Sequence, residues 1–127
     1  MRVSSRNIVA LNRALRLRKG REFQRVKQQG RSITSRLLIL AWMPNEVAIL
    51  RIGIVVSKRI SKLAVERNYI KRLLSEAIRH ILPELPTGWD IVLSARSQAR
   101  TADLRTLEQD IVALLHRAQL LTPEKIK

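Results

Sequence analysis

The spacing of apolar positions changes several times along this chain, and each change marks a predicted element. Between residues 20 and 29, Phe23 and Val26 share one face at a three-residue step, which predicts a short helix stopped by Gly30. Residues 32–43 are strand-like, with Ile33, Thr34, Ile39 and Trp42, and Pro44-Asn45-Glu46 reads as a turn. Residues 47–57 form a second predicted strand rich in β-branched side chains, with Gly53 marking a bulge or a close backbone approach. From about 62 to 82, Leu63, Ile70, Leu74, Ala77, Ile78 and Ile81 recur at three- and four-residue steps, which predicts a long helix with one apolar stripe. Pro83 ends that helix, and Pro86-Thr87-Gly88 turns the chain into a third strand at 89–95. Leu104, Leu107, Ile111, Leu114, Leu115 and Ala118 then mark a last amphipathic helix, with Thr101 or Asp103 as its N-cap.

The resulting order is α-β-β-α-β-α over one domain, residues 1–127, preceded by a basic arm at residues 1–18. The simplest packing is an α/β (α+β) two-layer sandwich, a small mixed sheet with helices lying on it. The strand–helix–strand unit from 47 to 95 predicts a parallel crossover, because its helix carries the chain back along the sheet.

Composition narrows the functional classes. The 127 residues carry 25 Lys and Arg against 10 Asp and Glu, a net charge of +15, and no cysteine. Disulfides and thiolate metal sites are thereby excluded, and a reducing compartment fits. The charge is polarised: residues 80–127 are neutral in sum, so the whole excess lies in residues 1–79. Such a field attracts a polyanion. An anionic membrane fits less well, because no run approaches the ~18 apolar residues of a span. Residues 1–21 are Arg-rich and free of acids, a pattern shared by organelle transit peptides and by nucleic-acid-binding arms. No cleavage feature favours the former, and no apolar core marks a secretory signal.

Catalytic signatures are missing. The four glycines form no phosphate-cradling loop, His80 and His116 lie on separate predicted helices, and the acids are scattered singly. No catalytic residue is therefore assigned to the protein.

The informative stretch is the start of the long helix. Six basic residues fall between Lys58 and Arg72 against one acid, Glu66. At about 100° per residue, Asn68, Lys71, Arg72, Ser75 and Arg79 lie opposite Ile70 and Leu74, and Lys58, Arg59 and Lys62 precede them or join the first turn. Long cations with an interspersed Asn suit phosphate oxygens. A solvated helix face usually mixes signs for i, i+4 pairing, and this one does not. A leucine-zipper basic region would need heptads that Pro83 interrupts. With four aromatics in the chain, a base-stacking sheet is disfavoured as well. The residues leave open a backbone-reading RNA protein, a basic ribosomal or ribosome-assembly protein, and a DNA-binding regulator.

The segment Glu66-Arg67-Asn68-Tyr69-Ile70-Lys71-Arg72-Leu73-Leu74-Ser75-Glu76 resembles the signature of the bacterial ribonuclease P protein component, Arg-Asn-Arg-Ile-Lys-Arg followed by two apolar positions and Arg-Glu. Arg51 to Arg59, Leu17 to Gly30 and Trp89 to Arg96 are similar to other parts of that family, so the likeness spans roughly residues 11–120. Tyr69 and Ser75 stand where the family carries arginines.

The resemblance implies a left-handed strand–helix–strand crossover. It also implies the protein subunit of a ribonucleoprotein endoribonuclease that removes the 5′ leader of precursor tRNA, with the catalytic centre and magnesium in the RNA subunit and no organic cofactor. Its partners would be the ribonuclease P RNA subunit and precursor tRNA in the bacterial cytoplasm; no membrane and no oligomer are indicated. Lys58, Arg59, Lys62, Arg67, Asn68, Lys71, Arg72 and Arg79 would meet RNA phosphates, and Phe23, Arg36 and Trp42 would line the leader-binding cleft.

Overall fold

The computed structural model describes Leu17 and residues 20–121. The elements run α1 (Gly20–Gln29), β1 (Arg31–Thr34), β2 (Leu38–Pro44), β3 (Arg51–Val55), α2 (Ala64–Ile81), β4 (Trp89–Ala95) and α3 (Leu104–Arg117). Short 3-10 turns at Leu82–Glu84 and Ser97–Thr101 follow α2 and β4. The sheet order is β1-β2-β4-β3, antiparallel except for the adjacent parallel pair β3 and β4, which α2 connects.

The expected first strand is two strands. Ser35 folds the chain back: its hydroxyl accepts the amides of Leu37 and Leu38 at 3.2 and 3.0 Å, and its own amide bonds the Leu38 carbonyl at 2.8 Å. This Ser-centred turn needs neither Gly nor Pro, so the usual breakers do not announce it. The expected strand at 47–57 is shorter, Arg51–Val55. Asn45 captures its first residues by accepting the Val47 amide at 3.0 Å and donating to the Ile49 carbonyl at 3.0 Å. Ala48 sits at φ 60°, which a strand does not tolerate.

Strand alternation sorts side chains between two unequal cores. On one face Leu38, Leu40, Trp42, Ile52, Ile91 and Leu93 meet Ile70, Leu74, Ala77 and Ile78 of α2 and Leu107, Ile111, Leu114 and Leu115 of α3. On the other, Leu17, Val26, Ala41 and Val92 form a smaller cluster with Phe23, Met43 and Val55. Helix α1 thus covers the face of the sheet opposite α2 and α3 with a smaller apolar cluster. Leu17, expected in the arm, is 4% exposed and its amide bonds the Ile52 carbonyl at 3.0 Å. The rest of that arm lies outside the described residues.

Local chemistry fixes the helix ends. Asp103, one of the two expected caps, accepts the Thr106 amide at 2.9 Å at the start of α3. Hydrogen bonds from Thr106, its side chain foremost, hold the Asp103 carboxyl below the usual carboxylate range. Gly30 stops α1 where a Cβ would lie 2.5 Å from the Trp42 carbonyl oxygen, so the chain passes the sheet more closely than any other residue allows.

Candidate nucleic-acid interface

Helix α2 turns its buried stripe of Ile70, Leu74, Ala77 and Ile78 to the main core. The opposite side is a ridge on which Asn68, Tyr69, Lys71 and Arg72 are exposed. Lys58, Arg59 and Lys62 are also exposed, in the connection between β3 and α2. That connection is held by a turn from the Ile60 amide to the Ser57 carbonyl at 3.0 Å and by buried Ser61. The Ser61 hydroxyl accepts the Leu63 amide at 3.1 Å and donates to Glu66 at 2.5 Å, so the cationic loop is anchored to the first turn of the helix.

Two of the expected phosphate-binding residues have further ties. Arg67 is half-buried, and its guanidinium donates to the Ser61 carbonyl at 2.9 Å. Arg79, partly exposed, pairs with Glu76 one turn before it. Lys58, Arg59, Lys62 and Lys71 make no hydrogen bond or ion pair among the described residues, and Arg72 lies over the Tyr69 ring.

The residues expected to line one cleft do not lie together. Phe23 projects from α1 onto the sheet, where a Cβ at Gly53 would come within 2.3 Å of its ring. Trp42 lies on the opposite face, 6% exposed in the main core. The reason is the two-residue period of β2: Trp42 follows Leu38 and Leu40, whereas Ala41 and Met43 face α1. Arg36 lies in the β1–β2 turn and lines a cavity of about 350 Å³ with Gln98, Thr101 and Asp103 before α3.

Strand register brings together residues that the sequence did not single out. Thr34, Ile39, Ser94 and Val55 form one row across all four strands. Thr34 is exposed and the other three are half-buried. The next row on that face, Ser32, Ala41, Val92 and Gly53, runs beneath the Phe23 side of α1. The alternation of β2 and β4 carried the signal, but pairing order was needed to read it.

Beyond that row, Arg51 joins sheet and helix. Its guanidinium makes two 2.9 Å bonds to buried Asp90 and reaches Glu22 of α1 at 3.4 Å. Asn45 adds a 2.8 Å bond to the same carboxylate. The hydrogen bond to Asp90 chiefly raises the Arg51 pKa above its ordinary value. Among the described residues no three His, Asp or Glu side chains gather as a metal-binding group, and no helix is long and apolar enough to cross a membrane.

The architecture is that of a mixed α+β sandwich carrying a one-sided cationic helix. The profile of the Ribonuclease P family matches residues 11–119. The ribonuclease P protein component of Chloroflexus aurantiacus is 44% identical over 112 residues, covering 87% of this chain and 82% of that protein. The same component from Caldanaerobacter subterraneus is 39% identical over 105 residues, 83% of this chain and 90% of that one. Among solved structures, the Staphylococcus aureus RNase P protein aligns with a TM-score of 0.78 at 29% identity, over 87% of this chain and 100% of that chain. The Thermotoga maritima RNase P protein aligns at 0.72 and 29% identity, over 80% and 96%. The chain belongs to the bacterial ribonuclease P protein family.

Proposed function

We propose that this chain is the protein subunit of a cytoplasmic ribonucleoprotein that removes the 5′ leader of precursor tRNA. It would bind the ribonuclease P RNA along α2 and the leader against the α1 face of the sheet. The observation that carries this reading is the one-sided ridge, on which Asn68, Lys71 and Arg72 stand exposed opposite a fully apolar stripe. Lys58, Arg59 and Lys62 extend the same field beyond the helix, and Arg67 and Arg79 contribute the exposed parts of their side chains.

The chemistry assigned to the protein is positional. Long cations neutralise phosphates and release condensed counterions, while Asn68 supplies a directed hydrogen bond. The row Thr34, Ile39, Ser94 and Val55, next to Phe23, offers hydroxyls and apolar surface to a single strand. Arg36 and Trp42 are not part of that groove in this reading. Magnesium would be held mainly by the RNA subunit, and no step assigned to the protein passes through a metal ion. Protein cations relieve the repulsion between closely packed phosphates that magnesium would otherwise have to screen, so the protein is expected to lower the magnesium needed for cleavage.

The test is precursor-tRNA cleavage by the ribonuclease P RNA of the same organism, with and without the protein, at low magnesium. Protein-dependent leader release is expected. Tight RNA binding without any stimulation would move the function to a ribosomal or ribosome-assembly RNA.

A further inference from the structure

Large apolar side chains are exposed at five described positions: Val47, Ile49, Leu63, Val65 and Tyr69. The first two belong to the β2–β3 connection. The other three cluster at the N-terminal end of α2, the end that carries exposed Lys58, Arg59, Lys62, Lys71 and Arg72. Val65 and Tyr69 are one helical turn apart and share a face, with Arg72 three residues beyond. Val65 is 74% exposed and Tyr69 is 51% exposed. By contrast Trp42 is buried, and Phe23 and Trp89 pack against the two cores. Tyr69 is thus the one aromatic ring that α2 presents outward.

The ring is also oriented. The Arg72 guanidinium carbon lies 5.5 Å from its centroid, a cation–π distance. A cation on one face restricts how the ring turns, which reduces the entropy lost when a flat ligand stacks on it.

We propose that Tyr69, steadied by Arg72, is a stacking platform for one unpaired nucleobase of the RNA held along α2. The inference rests on the RNA-binding reading above and adds a contact of a different kind. Charge decides between occupants. A protein partner, or a second copy of this chain, would have to cover Tyr69 and Val65 amid exposed Lys58, Arg59, Lys62, Lys71 and Arg72. An RNA strand brings phosphates for those cations and a base for the ring. Stacking is sequence-tolerant, so the site fits a bulged or looped base without requiring base-edge readout.

The two kinds of contact respond differently to salt. Phosphate contacts weaken with salt; about six of them give a slope of log affinity on log salt near −4 to −5. Stacking releases no counterion. The experiment titrates the labelled ribonuclease P RNA of the same organism at several salt concentrations with wild type, Tyr69→Leu, Tyr69→Phe and Lys71→Ala. Tyr69→Leu should lose roughly 5- to 100-fold in affinity at every salt concentration, with an unchanged slope. Tyr69→Phe should retain wild-type affinity within about twofold, because the aromatic face remains. Lys71→Ala should instead flatten the slope by roughly 0.7–0.9.

Unchanged affinity in Tyr69→Leu, alongside a flattened slope in Lys71→Ala, would overturn the platform and leave the RNA-binding reading standing. A flattened slope in Tyr69→Leu would overturn it too, since the ring would then act only through the cations. A change in molecular mass by sedimentation with RNA affinity intact would assign the patch to a second copy. Wild-type binding that ignores salt would remove the RNA-binding reading itself, and the platform with it.

Discussion

Arg67 and Lys71 are one turn apart on α2, yet their environments separate them. Lys71 is exposed, whereas Arg67 is half-buried and holds the Ser61 carbonyl at 2.9 Å. That carbonyl belongs to the loop carrying Lys58, Arg59 and Lys62, so Arg67 has a structural task beside any phosphate contact. Arg67→Ala should lower unfolding stability by about 1 kcal/mol, the net value of one hydrogen bond. Lys71→Ala should stay within about 0.5 kcal/mol of wild type, as exposed substitutions usually do. Urea unfolding of the two variants checks this, and equal stabilities would mean that the Arg67 bond contributes nothing in solution. The helical pattern alone places both residues off the apolar stripe and does not distinguish them. The difference arises from a loop residue six positions upstream, which the periodicity of a helix does not register.

At the scale of elements, α1 meets the sheet through one close approach. Phe23 occupies the space that a side chain at position 53 would need, with only 2.3 Å from a Cβ at Gly53 to the ring. Gly53→Ala should therefore displace Phe23 and cost about 1–3 kcal/mol, a typical overpacking penalty. Adding Phe23→Leu should recover part of that loss in a double-mutant cycle. Strictly additive costs would show that the ring and the glycine are not coupled. The sequence already flagged Gly53 as a bulge or a close approach and put Phe23 on one face of α1 with Val26, and it placed α1, α2, β4 and α3 within two residues of their observed bounds. The β1–β2 hairpin escaped because Ser35, neither glycine nor proline, makes the turn with its hydroxyl. The assignment of Trp42 to the α1 face failed for a related reason. A one-residue choice of strand face sends a side chain to the opposite layer, and no local feature of the Leu38–Pro44 run settles it. Cleft residues assembled from four strands depend on pairing order, which a linear pattern does not contain.

For the whole molecule, the sheet separates two surfaces. The α2 ridge lies outside the main core, while the row Thr34, Ile39, Ser94 and Val55 opens on the α1 side. In the proposed assembly the protein therefore meets the RNA subunit with one layer and the leader with the other. The rigid sheet fixes the distance between them. The two layers are not equally held. The main core contains 21 buried residues among those described, and the α1 cluster contains four, aided by the Arg51 bridge to Glu22. Cooperative units with few buried apolar contacts open at lower free energy than the rest of a fold. In native-state hydrogen exchange, the amides of α1 should accordingly exchange through local openings well below the global unfolding free energy, while the centres of α2 and α3 exchange only with global unfolding. Exchange of α1 together with α2 would mean that the small cluster is as cooperative as the large one. In the proposed assembly, local opening of α1 on a folded scaffold would let the groove change width without cost to the ridge, so leaders of unlike sequence would be accommodated by breathing rather than by a dedicated pocket for each.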